Sequence, residues 1–170
     1  MDNRTTLLLY NSLILPYINY CCLVWGINYA AQTSKLLILQ KRAVRLIDRV
    51  YPPVSAEPIF KKYSLLKLED IAKSQMLLFI HKFLTNQLPF SFETIFKRKE
   101  RQAHNTRRCE LIEIPFSNRN YRLFSTPCLG PKLWNNMFHD VFRTIHDIPL
   151  SKLTIKTKIR SSLLDVYRAI

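Results

Sequence analysis

Apolar residues recur at three- and four-residue spacing along most of the chain, and polar punctuation cuts that pattern into helices. The clearest case is 34–49. Leu36, Leu39, Ala43, Leu46, Ile47 and Val50 form an apolar stripe that predicts a core-facing side. Lys35, Lys41, Arg42, Arg45 and Arg49 decorate the rest, opposed only by Asp48. Ser34 can cap the start, and Tyr51-Pro52-Pro53 stops the helix. A shorter helix is expected from Ser55 to Tyr63, with Glu57 in its first turn and Lys61-Lys62 in its last. Leu68 to Leu84 gives the longest helix, its apolar side filled by Ile71, Met76, Leu77, Phe79, Ile80, Phe83 and Leu84. Pro89 opens another short helix that reaches Phe96.

Residues 5–34 carry no charge and are long enough to cross a bilayer. Asn11, Ser12, Asn19 and Asn28 are polar, and Pro16 sits in the middle. A buried helix pair with a break or kink at Pro16 fits better. Arg4 is balanced by Asp2, so the start is a poor signal peptide. Tyr17, Trp25 and, further on, Trp134 are expected as core anchors.

The composition shifts at Lys97. Between Lys97 and Arg122 stand eight basic residues and three acids, Glu100, Glu110 and Glu113. Alternation over Cys109 to Phe116, and again near Tyr121 to Ser125, predicts short strands. Gly130-Pro131 reads as a turn, followed by a short helix anchored by Leu133-Trp134 and Met137-Phe138. Ser151 caps a final helix to about Arg168, basic in its first half through Lys152, Lys156, Lys158 and Arg160. The fold expected is mainly α: a helical region over 1–96, then a basic extension over 97–170 with a short β-hairpin or irregular segment and a C-terminal helix.

Charge changes this picture most. The 170 residues hold 26 Lys and Arg against 12 Asp and Glu, a net +14. Such an excess points to a polyanion. With only 2 Gly, no glycine-rich phosphate cradle can be written, which excludes Walker-type and dinucleotide-binding loops. Cys21, Cys22, Cys109 and Cys128 make no C-x-x-C, and the four His make no metal-ligand pair. A zinc site would need scattered residues such as His104, Cys109 and Cys128. Nothing suggests a disulfide scaffold, so an intracellular setting, nucleus or cytoplasm, is the default. The adjacent acids Glu69-Asp70 open a helix, where they favour the positive dipole end rather than a metal. The tracts His104-Asn105-Thr106-Arg107-Arg108 and Asn118-Arg119-Asn120-Tyr121-Arg122 combine guanidinium groups for phosphates with rings for bases.

Several segments together resemble one family. LLLYNSLILPYINYCCLVWG (7–26) is similar to the stretch after the polymerase core in jockey-like non-LTR retrotransposon reverse transcriptases. LILQKRAVRLI (37–47) resembles the next helix, with its Leu-Gln-Lys-basic-Ala pattern, and IFKKYSLLKLEDI (59–71) the two segments after it. HNTRR (104–108) resembles a Tyr-x-Thr-Arg motif with His104 for Tyr. Ser125, Gly130, Pro131, Trp134 and Asn135 fit a Ser-x-x-x-x-Gly-Pro-x-x-Trp-Asn pattern. Order and spacing hold over roughly residues 5–168.

The resemblance implies a polymerase thumb and its C-terminal extension, gripping RNA or an RNA–DNA hybrid beside a palm that this sequence lacks. The catalytic Asp-Asp motif is absent, so no catalytic residue is expected in the chain, and Mg²⁺ would belong only to the parent's palm. The expected contacts are Lys35, Lys41, Arg42, Arg45, Arg107, Arg108, Arg119 and Arg122. No small-molecule substrate is implied. Two other readings stand beside this one: a membrane-associated basic protein using 5–34, and a free-standing helical interaction module.

Overall fold

The Leu68–Leu84 helix forms over its predicted bounds and runs through both units of the structure, but at 17 residues it is not the longest, since the helix Ala30–Asp48 has 19. A computed structural model describes residues 2–27, 30–99, 112–141 and 151–169. The chain is mainly helical: α1 (Asn3–Leu9), a π-helical turn (Tyr10–Ile14), α2 (Leu15–Asn19), α3 (Cys22–Trp25), α4 (Ala30–Asp48), α5 (Glu57–Lys62), α6 (Leu68–Leu84), a 3₁₀ turn (Phe90–Thr94), α7 (Asn120–Leu123), α8 (Thr126–Val141) and α9 (Lys152–Ala169). Two compact units divide it. The first comprises 1–75 with 161–170, the second 76–160.

In the first unit, Tyr10, Val44, Ile47, Ala56, Ile59, Phe60 and Leu65 form the buried core. Pro16 sits in the first turn of α2, where its missing N–H costs least, and the π-helical turn before it absorbs the register change. Gln40 is buried at the centre of the unit. Its Nε2 donates to the Tyr10 hydroxyl and the Leu66 carbonyl, both at 3.0 Å, and its Oε1 accepts the Leu68 N–H at 2.8 Å. One side chain of α4 thereby caps the start of α6. The C-terminal part of α9 is held in this unit by Tyr167. Its hydroxyl accepts the Lys67 N–H at 3.1 Å and donates to Asp70. Burial and the neighbouring Asp70 push the Tyr167 phenol well up.

Three helices end without glycine. Arg49, Ser64 and Asn86 take left-handed φ values of 55°, 50° and 56°. The N–H just beyond each reaches back to a carbonyl of the last turn: Val50 to Arg45, Leu65 to Phe60, and Gln87 to Lys82.

In the second unit, the later half of α6 buries Met76, Leu77, Leu78, Ile80 and Phe83. Phe79 and Phe83 meet Phe96 at ring-centroid distances of 6.0 and 5.2 Å, and Trp134 of α8 lies fully buried beside His81. The guanidinium of Arg98 donates to the carbonyls of Phe83 and Leu84 and so caps the end of α6. The Arg98 guanidinium also lies over the Phe83 ring at 5.3 Å.

Several sequence expectations are corrected. Gly130-Pro131 is no turn: both lie inside α8 and are buried. A Cβ on Gly130 would stand 2.9 Å from Ile80 Cδ1 and 3.2 Å from Met76 Sδ, so the glycine permits close packing of α8 on α6. That burial outweighs the poor helix propensity of both residues. Tyr121 to Ser125 is helical at its start rather than a strand. Among the described residues, the expected strand over Cys109 to Phe116 is reduced to one bridge, Arg98 with Ile112. Residues 109–111 lie outside them. Helix α4 starts at Ala30, and the Ser34 hydroxyl donates back to Ala31 instead of capping. Tyr17 is no core anchor, being 81% exposed, whereas Trp134 is one.

Candidate nucleic-acid interface

The basic excess is unevenly shared. Of the 26 Lys and Arg, 15 fall within 76–160, which carries 6 of the 12 acids. The residues expected to bind phosphate separate into three groups once placed.

On α4, Lys35 and Arg42 lie seven residues apart on the exposed side, with no partner among the described residues. Lys41 and Arg45 are half-buried and engaged locally. Lys41 Nζ stands 3.5 Å from Glu57 Oε1, while Arg45 Nε donates to the Val54 carbonyl at 2.9 Å. Glu57 also holds Lys67 at 2.6 Å. Burial alone would raise the Glu57 carboxyl, but Lys67 and Lys41 outweigh it and hold the group below its ordinary value. These two cations thus tie α4 to the segment after Pro52-Pro53, a role the helical pattern gave no means to see.

In the second unit, Arg119 stands just before α7 and Arg122 in its last turn. The Ser117 hydroxyl accepts the Arg119 N–H at 3.3 Å and donates to the Arg119 carbonyl at 3.1 Å, which fixes the backbone there. Arg119 Nη1 donates to the Tyr121 hydroxyl at 3.2 Å, so guanidinium and phenol are presented together. Arg122 is exposed. Tyr121 is 62% and Phe116 83% exposed. The sequence pattern placed Phe116 on a strand. Its true signal was the Pro115 before it and Ser117 after it, which mark a loop. Lys97, Lys132, Lys152 and Lys156 of the same unit are also exposed.

Arg107 and Arg108 lie outside the described residues, as do His104 and Cys109. Arg98 serves as a helix cap and is not spare.

This chemistry is cationic and aromatic. Asp70 is taken up by Lys73, at 3.0 Å, and by Tyr167. Among the described residues, no three His, Cys, Asp or Glu side chains converge as metal ligands, and no helix is long and apolar enough to cross a membrane. Comparison with protein-family models, with curated proteins and with solved structures finds no match.

Proposed function

We propose that this chain binds RNA or an RNA–DNA hybrid, as the thumb and following region of a jockey-like non-LTR retrotransposon reverse transcriptase. The ordered motifs between 7 and 135 support the family. The exposed, hydrogen-bonded Arg119–Tyr121 pair, with exposed Arg122 next in the chain and exposed Phe116 three residues before Arg119, is the observation that carries the binding. Two guanidinium groups can neutralise neighbouring phosphates, and two exposed rings offer stacking faces to unpaired bases. Arg107 and Arg108 join this set by their place in the same basic tract. The polymerase chemistry and its Mg²⁺ belong to the palm of the parent enzyme, with which this region would act.

Fluorescence anisotropy on a labelled RNA–DNA hybrid tests the proposal. Affinity should fall steeply and linearly in a plot of log K against log salt. A flat dependence, or no binding at low salt, would overturn it.

A further inference from the structure

Helix α4 carries an apolar seam that its own fold leaves uncovered. Leu36, Leu39, Ala43 and Leu46 recur at alternating spacings of three and four, the a and d positions of a heptad. The sequence pattern predicts that this stripe faces the core. Only part of the stripe does so: Ile47 is buried and Ala43 packs at the edge of the core, whereas Leu36, Leu39 and Leu46 are 41%, 55% and 57% exposed, and Thr33, Gln40 and Val44 take the remaining core-facing positions. The physical reason is Gln40. Its three hydrogen bonds are available only inside the unit, and satisfying them turns the helix by about a quarter of its circumference relative to the leucine seam.

The seam has two unlike borders. On one side it opens into an apolar groove of about 290 Å³, where Ile14, Tyr17 and Trp25 face Leu36, Leu39 and Ala43. On the other side stand Lys35 and Arg42, both at the g position of the heptad, and Arg49 follows at the same spacing just past the helix end. All three are exposed and hold no side-chain partner among the described residues.

We propose that this face docks an amphipathic helix of a partner protein whose apolar seam is flanked by Glu or Asp. The heptad supplies the geometry, and the basic g row supplies the charge that a partner must complement. A second copy of the chain is a poor occupant. Antiparallel pairing would set Lys35 and Arg42 against the same basic row. Parallel pairing would set that row against the e positions Gln40 and Ile47, which are 2% and 0% exposed in their own core. A nucleic-acid duplex would gain nothing from covering Leu39 and Leu46. The inference does not rest on the nucleic-acid reading, which is placed on the other unit.

The test uses the full chain and a labelled helical peptide of about three heptads, with Leu at a and d and Glu at e and g, beside its Lys counterpart. The Glu peptide should bind in preference by about tenfold or more. Lys35→Glu/Arg42→Glu should reverse that preference. Leu39→Gln/Leu46→Gln should weaken the Glu peptide about tenfold while circular dichroism stays unchanged. Arg119→Ala/Arg122→Ala should leave peptide binding intact, which separates this result from the fate of the nucleic-acid proposal. Equal binding of the two peptides, binding of neither, or wild-type binding by the seam variant would overturn the proposal. So would a wild-type dimer in sedimentation that the seam variant abolishes, or loss of hybrid binding in place of peptide binding in that variant.

Discussion

Gln40 of α4 accepts the backbone N–H of Leu68 through Oε1 at 2.8 Å, so helix α6 begins on a side chain from 28 residues upstream. The same amide serves the Tyr10 hydroxyl and the Leu66 carbonyl. Replacing Gln40 by Leu would keep the volume and leave two buried polar groups and one part-buried carbonyl without this partner. A loss of about 2–4 kcal/mol is expected, read as a lower urea midpoint. An unchanged midpoint would show that the amide does not hold the unit together.

Gly130 sets the approach of α8 to α6. The Cβ of Gly130→Ala would fall within 2.9 Å of Ile80 and 3.2 Å of Met76, in a region where both neighbours are fully buried. Such overpacking costs about 1–3 kcal/mol, more than Ala gains in helix propensity. Thermal unfolding of the variant should show a lower Tm. A raised Tm would mean that propensity, not packing, decides this position.

Asp48 gives the structure an acid-sensitive point. The Tyr63 hydroxyl, and then Lys62, hold its carboxyl below the ordinary value against the opposing effect of burial. A depressed folded-state pKa means stability that is complete above about pH 4 and is lost as pH falls through the lower folded value. Asp48→Asn should therefore be less stable than wild type at neutral pH and lose less on acidification. Urea midpoints followed from about pH 6 downward measure both effects. Parallel curves for the two proteins would contradict the assignment.

How much of this was legible in the sequence differs by element. Helix α6 could be read from end to end because every local signal agrees: Glu69 and Asp70 lie in its first turn, His81 and Lys82 in its last, with a broad apolar face between. Helix α8 could not, because Gly130-Pro131 carries strong turn chemistry and only the packing against Ile80 and Met76 overrides it. On α4 the helix was legible but its facing was not, since a buried glutamine outranked a leucine seam. The candidate contacts divided in the same way. Exposure of Lys35, Arg42, Arg119 and Arg122 follows from local pattern. The engagement of Lys41 and Arg45 depends on Glu57 and Val54, brought close only by the turn after the helix.

The most direct test of the nucleic-acid grip is the salt dependence of hybrid binding in Arg119→Ala/Arg122→Ala against wild type. If both guanidinium groups neutralise phosphates, the slope of log K against log salt should become shallower by about 2, near 0.9 for each contact removed, with weaker binding at low salt. An unchanged slope and affinity would contradict the placement of the interface at Arg119, Tyr121 and Arg122.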